Sequence, residues 1–221
     1  MTDAELVVEA VMRELGPVDS WKRPRGYPDS LALCVIDSVF SLRARYAAVE
    51  NVVAAYREAR ATQGGSAETD GAAELLNAIT AAGGAERAST LLFRNRGRAP
   101  GTKELKTSAV AAGAAALLGV GVSTADDLRR ELITSAAATP RAAWLSVAGL
   151  GPASWEYLTM LAGGDGVKGD TWIVRFVSRV VGERTAPQRA SRAVEEAARI
   201  LQVPATVLDH RIWSRERERN A

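Results

Sequence analysis

At 221 residues, 47% hydrophobic and 24% charged, the chain can build one globular unit or two small lobes, and its composition excludes a disordered protein. A formal net charge of +2 excludes nucleic-acid binding driven by a whole-molecule field, so any such affinity must come from local clusters of cations. The lone cysteine, Cys34, excludes a disulfide framework, a cysteine zinc site and a four-cysteine iron–sulfur cluster within the chain, and reads as a buried thiol.

The N-terminal stretch MTDAELVVEA is acidic and amphipathic rather than signal-like, and its Val7, Val8, Val11, Met12 and Leu15 form one apolar helical face ended by Gly16 and Pro17. After Pro28, Asp29 or Ser30 is placed to cap a helix over LALCVIDSVFSL, and 43-RARYAAVENVVAAYREAR-60 continues the helical period. ATQGGSAETDG reads as a surface loop. Helices are then expected over ELLNAITAA, ERASTLLF, KTSAVAAGAAALL, TADDLRREL and TPRAAWLSVA. No valine–isoleucine alternation suggests strands, so the class is all-α. No apolar run approaches the roughly 20 residues that span a bilayer, and a cytoplasmic chain with no membrane partner is expected.

The segment 141-RAAWLSVAGLGPASWEYLTML-161 sets two short amphipathic helices either side of Gly149, Leu150, Gly151 and Pro152. Pro152 suits the first turn of the second helix, where its missing N–H has no helical partner. Bare amides at that start, around Ala153 and Ser154, with the helix dipole behind them, offer a site for a phosphate. Further on, Asp170 stands directly before TWIVRFVSRVV, where it is placed as an N-cap.

In this order, AGLGPASWEYL followed by VKGDTWIVRFV resembles the helix-hairpin-helix DNA glycosylase superfamily, to which endonuclease III belongs. The stretches 27-YPDSLALCVIDSVFSL-42 and 203-VPATVLDHRIWS-214 look like the family's early and closing helices. The resemblance implies a two-lobed helical fold, with residues 29–164 as one lobe ending in the hairpin and residues 1–28 with 165–221 as the other. It also implies a monomer that flips a base out of double-stranded DNA and excises it, with Gly149 and Gly151 as hairpin glycines and Asp170 as catalytic aspartate. A monovalent cation, sodium or potassium, held by hairpin carbonyls is implied in the same way.

One carboxylate suffices for that chemistry, because breaking the bond from base to deoxyribose develops positive charge on the sugar that a fixed anion stabilises. Lys168 is read as keeping Asp170 ionised, as contacting a phosphate, or as solvated. Two departures from the family matter. Where bifunctional members carry their lysine nucleophile the chain has Ala153, so Schiff-base lyase chemistry is expected to be absent, and no iron–sulfur motif is present. Where many members carry a gap-filling glutamine, 37-DSVFS-41 offers Asp37, Ser38, Val39 and Phe40, with Val39 or Phe40 acting as an apolar wedge or packing in the core.

Trp155 and Trp172 are candidates to stack on an extruded base, or are core, and His210 beside Trp213 reads as structural. The basic stretch 94-RNRGRAPGTKELK-106, led by Arg94, Arg96 and Arg98, is a candidate to lie along a phosphate backbone, as is the smaller Trp21–Arg25 run. The end, 214-SRERERNA-221, reads as a solvated tail. The expected function is monofunctional base excision from DNA, in repair or in defence against modified foreign DNA, the alternative a DNA-binding module that keeps the fold without excising. Alkylated purines, mismatched pyrimidines, deaminated bases and bulky modified cytosines all remain candidate substrates.

Overall fold

Glycine and proline punctuate alanine- and leucine-rich segments of helical period, and the computed structural model, which describes residues 1–133 and 138–219, is helical throughout those segments. The elements are α1 (Asp3–Glu14), a 3-10 turn (Val18–Ser20), α2 (Leu31–Phe40), α3 (Tyr46–Thr62), α4 (Ala72–Ala81), α5 (Ala85–Leu91) and α6 (Lys106–Gly119). They continue with α7 (Ala125–Ile133), α8 (Ala138–Leu145), α9 (Pro152–Leu161), α10 (Thr171–Val181), α11 (Pro187–Leu201) and α12 (Ala205–Arg219). The chain is all-α; among the described residues the only extended pairing is an isolated bridge between Arg98 and Leu105. No described helix is long and apolar enough to cross a membrane.

The chain divides into two compact units, Met1–Arg25 with Asp165–Ala221, and Gly26–Gly164. The division after Arg25 falls three residues before the 28/29 boundary drawn from the sequence, because Tyr27 already donates its N–H to Leu161 O at 2.7 Å. Gly26 is pressed on the same strand of chain, where a Cβ would meet Leu161 O at 2.2 Å.

In the Gly26–Gly164 unit, α2 is buried at every residue, as its almost wholly apolar sequence requires of a central helix. It packs against α3, α4, α6 and α9. Of its two candidate caps, Ser30 serves: its Oγ accepts the Leu33 N–H at 3.1 Å and donates to Ala67 O at 2.7 Å. The 61–71 segment is therefore less free than a surface loop. Asp70 at its end is buried, accepting from Tyr56 Oη at 2.8 Å and Arg60 Nε at 2.6 Å.

In the other unit α1, α10, α11 and α12 bury Val7, Val11, Phe176, Val194, Leu208 and Ile212. Met12, expected on the apolar face of α1, is 55% exposed instead. The sequence reading names no separate helix over α11, whose buried stripe is mostly alanine and signals weakly. Nor is 214–219 a solvated tail: it extends α12, and Glu216 is buried where it accepts from Arg179 at 3.1 Å. Residues 220 and 221 lie outside the described residues.

Candidate functional site

Asp170 caps α10 with one oxygen. Its Oδ1 accepts from the N–H groups of Trp172 at 2.8 Å and Ile173 at 3.3 Å, satisfying two of the four donors that a helix start leaves without partners. Its Oδ2 takes no part in the cap, so the carboxylate is held by one oxygen and presents the other, on a residue that is only partly buried. A tight turn leads into it, in which Asp170 N–H donates to Lys168 O. Trp172, on the first turn of α10, is partly exposed with the Arg175 guanidinium 5.0 Å from its ring centroid, a position open to stacking.

The loop before Asp170 is held by α12. Asp165 carboxylate oxygens accept the first amides of α12, from Ala205 at 3.2 Å and Thr206 at 2.9 Å. Thr206 Oγ1 in turn accepts Gly166 N–H at 3.1 Å, and Asp209 Oδ1 accepts Lys168 N–H at 3.0 Å. Asp209 is buried. Burial first, then the charge of nearby Asp170, pushes its carboxyl well above the usual range, against the opposing pull of the Lys168 N–H and ammonium. Lys168, read from the sequence as keeping Asp170 ionised, contacting a phosphate or solvated, acts on Asp209 through its N–H and its ammonium.

Asp209 and Thr206 escape a sequence reading because their partners lie 40 or 41 residues away. The available signal is an acid on the core stripe of α12, four residues after Ala205 and three before Ile212. His210, half-buried and stacked on Trp213 at 5.6 Å, is held below the ordinary histidine range by burial and then by Arg211.

In the Gly26–Gly164 unit, α8 and α9 flank the glycine turn with Pro152 at the start of α9. Gly149 has φ +85°, and a Cβ there would meet Ala99 Cβ at 2.8 Å and Pro100 O at 3.3 Å. The turn therefore needs glycine twice over, for its dihedral and for its seat on the 99–102 turn. Gly151 is different: φ is −137° and nothing lies within 4 Å of an added Cβ.

Not all of the α9 amides are bare. Ser154 is buried, and its Oγ accepts Gly151 N–H at 3.1 Å and Trp144 Nε1–H at 3.0 Å while donating to Gly151 O at 2.7 Å. Ser154 is thus a strut of the hairpin rather than a phosphate ligand, and Trp144 beneath it is a hairpin residue that the sequence reading does not single out. The Ala153 N–H has no hydrogen-bond partner among the described residues and remains available. The carbonyls of Ala148, Gly149 and Leu150 accept no hydrogen bond among the described residues, which is the oxygen donor set that a hard monovalent cation takes.

The centre of the basic stretch forms a tight turn. Ala99 N–H donates to Glu104 O at 2.9 Å and Lys106 N–H to Gly97 O at 2.8 Å. Arg94, at φ +48°, pairs with Glu58 at 2.9 Å, Arg96 pairs with Glu86, and Arg98 donates to Lys103 O. All three arginines are exposed, on the segment whose 99–102 turn seats Gly149. Lys106 is no phosphate ligand: it is buried, donating to Phe40 O at 2.8 Å and Leu42 O at 2.6 Å, and burial pushes its ammonium down to about 8.

The wedge and pocket candidates on α2 are core. Val39 and Phe40 are fully enclosed, Phe40 packing on Phe93 at 5.4 Å between ring centroids, so neither can enter a duplex as placed. Ser38 is buried with its hydroxyl on Val35 O at 3.0 Å. Asp37 accepts from Tyr27 Oη at 2.9 Å and Ser41 Oγ at 2.8 Å, and burial together with this carboxylate pushes the Tyr27 phenol far up. Trp155 is likewise core and offers no stacking face. The exposed part of this region is the 41–45 loop after α2, with Arg43 at φ +51°.

An all-helical chain with a glycine hairpin and an aspartate-capped helix is the class that fold and site define. The chain belongs to a family described as a domain of unknown function, DUF8548, which matches it over residues 5–217. No curated protein and no solved structure matches it.

Proposed function

We propose that the protein is a monofunctional DNA glycosylase with the two-lobed helix-hairpin-helix fold, excising a damaged or modified base by aspartate-assisted hydrolysis. The observation that carries this reading is the cap of Asp170: one oxygen spent on two backbone amides, the other presented from a rigid helix start. A carboxylate so fixed needs no reorganisation as positive charge develops on the sugar, and it can orient the attacking water. The protein would hold double-stranded DNA as a monomer. The hairpin turn, the Ala153 N–H, which has no partner among the described residues, and Arg94, Arg96 and Arg98 supply backbone contacts, and the carbonyls of 148–150, which accept no hydrogen bond among the described residues, supply oxygens for a monovalent cation.

Trp172 is the stacking candidate that the burial pattern leaves, and the 41–45 loop takes the wedge role that α2 cannot. Ala153 in place of a lysine supports hydrolysis by water and an intact abasic site as product. The test is a panel of duplexes carrying an alkylated purine, a deaminated base, a mismatched pyrimidine or a bulky modified cytosine, with free base detected by mass spectrometry. Base release that Asp170→Asn abolishes supports excision. Duplex binding without release, unchanged in Asp170→Asn, supports the non-catalytic DNA-binding module instead. Arg43→Ala should reduce the fluorescence rise of 2-aminopurine placed beside the target base; an unchanged signal would remove the 41–45 loop from the wedge role.

A further inference from the structure

Between α9 and α10 the chain runs through a glycine-rich loop, 163-GGDGVKGD-170, whose composition alone gives it no fixed path. It is nevertheless fastened at successive points to one element. Asp165 takes the first two amides of α12 on its carboxylate, Thr206 Oγ1 takes Gly166 N–H, and Asp209 Oδ1 takes Lys168 N–H, all between 2.9 and 3.2 Å. Positions 205, 206 and 209 share the side of α12 that carries its core stripe, since residues four apart lie one turn above another. On its other side the loop is seated by Gly169, where a Cβ would meet Ser191 Oγ at 2.5 Å and Pro187 O at 3.1 Å at the start of α11.

We propose that Asp209, supported by Thr206, is a positioning residue for Asp170. The chain of contacts is short: Asp209 holds the Lys168 peptide N–H, the Lys168 carbonyl accepts from Asp170 N–H, and Asp170 Oδ1 caps α10. Fixing the Lys168 peptide therefore fixes the turn from which the carboxylate projects. The contact is costly to lose, because Asp209 is buried and removing it takes the side-chain acceptor away from a partly buried N–H. The proposal takes its kinetic consequence from the excision reading, whereas its structural consequence stands without it.

Both consequences are measurable on the full chain. Amide hydrogen exchange in Asp209→Ala should accelerate about tenfold or more at Lys168 and at Trp172, whose N–H is held by Asp170, while Phe176 and Val177 in the helix core keep their protection. Asp209→Asn keeps an acceptor of the same shape and should restore most of the protection. Thr206→Val should accelerate Gly166 and Lys168 to a smaller extent, and it provides the same test if Asp209→Ala does not fold.

With whichever duplex of the panel yields free base, kcat should fall about 100-fold in Asp209→Ala with KM unchanged, since displacement of a reacting group by about 1 Å costs that much. Asp209→Asn should recover it. Exchange at Lys168 and Trp172 equal to wild type in Asp209→Ala, or in Thr206→Val where only that variant folds, overturns the proposal, as does an unchanged kcat. Absence of base release from wild type counts against the excision reading alone, and the exchange measurement then decides the positioning role.

Discussion

The starts of α10 and α9 solve one physical problem in two ways. Each helix begins with amides that have no intrahelical acceptor and with the positive end of a dipole. At α10 the solution is an acid, Asp170, whose Oδ1 takes two N–H groups and whose charge meets the dipole. At α9 it is neutral: glycine at the cap, proline at the first position and a buried serine hydroxyl under the Gly151 N–H. The first end is filled by the protein's own anion and presents negative charge outward. The second has no acid in its first turn and, among the described residues, no partner for the Ala153 N–H, as suits an anion from outside. Similar local geometry thus leaves a carboxylate at one helix start and an uncharged cap at the other, and on the proposed function the first faces a cationic transition state and the second a phosphate.

The largest effect expected of any change falls on the α10 start. Asp170→Asn keeps a good N-cap, so thermal stability should stay close to wild type, while base release from the panel falls about 100-fold or more because the anion is gone. Asp170→Ala should lose the same activity and about 1 kcal/mol of stability besides. Equal activity in Asp170→Asn and wild type would erase the contrast between the two helix starts.

The two hairpin glycines separate stability from binding. Gly149→Ala places a Cβ at positive φ and against Ala99, and should cost about 2 kcal/mol, read as a lower midpoint in urea. At Gly151 an added Cβ meets no atom within 4 Å, so Gly151→Leu should leave that midpoint in place while raising the duplex dissociation constant several-fold, more so at low salt. Unchanged duplex affinity in a folded Gly151→Leu protein would remove the phosphate seat from α9.

A smaller effect follows from Asp209, whose folded carboxyl is held well above its ordinary range. Above the unfolded value the native state binds the extra proton. Its contribution is therefore fully present below the unfolded pKa and is lost as pH rises through the folded one. Asp209→Asn should flatten that fall, so that the difference in melting temperature between variant and wild type grows in favour of the variant from pH 4 to pH 8. A constant difference across that range would show that Asp209 is ionised in the folded protein.

What the sequence makes legible is what local rules govern. Ser30, one of two candidate caps, Asp170 as a cap, Pro152 at a first turn, and most helical spans apart from α11 and the end of α12 follow from propensity, capping and period. What it hides is the use of polar side chains at long range. Asp209, Asp70 and Lys106 look solvent-facing by type, yet they are buried because their partners lie far along the chain. Phe40 has two readings in the sequence, an apolar wedge implied by the family resemblance and core packing, and the core holds it because α2 is central and buries all its faces. Only the three-dimensional neighbourhood distinguishes these cases, since periodicity marks a core stripe and does not tell whether a helix has a second one.

If, as proposed, a fixed carboxylate directs water to a deoxyribose without any amine taking part, the end point on a duplex from which base is released must show it. Wild-type protein should give free base and an unnicked strand that breaks only in hot alkali, and borohydride should trap no protein–DNA adduct, because Ala153 offers no amine. A trapped adduct that disappears in Lys168→Ala would rule out hydrolysis by water, showing that the amine two residues before Asp170 is the nucleophile.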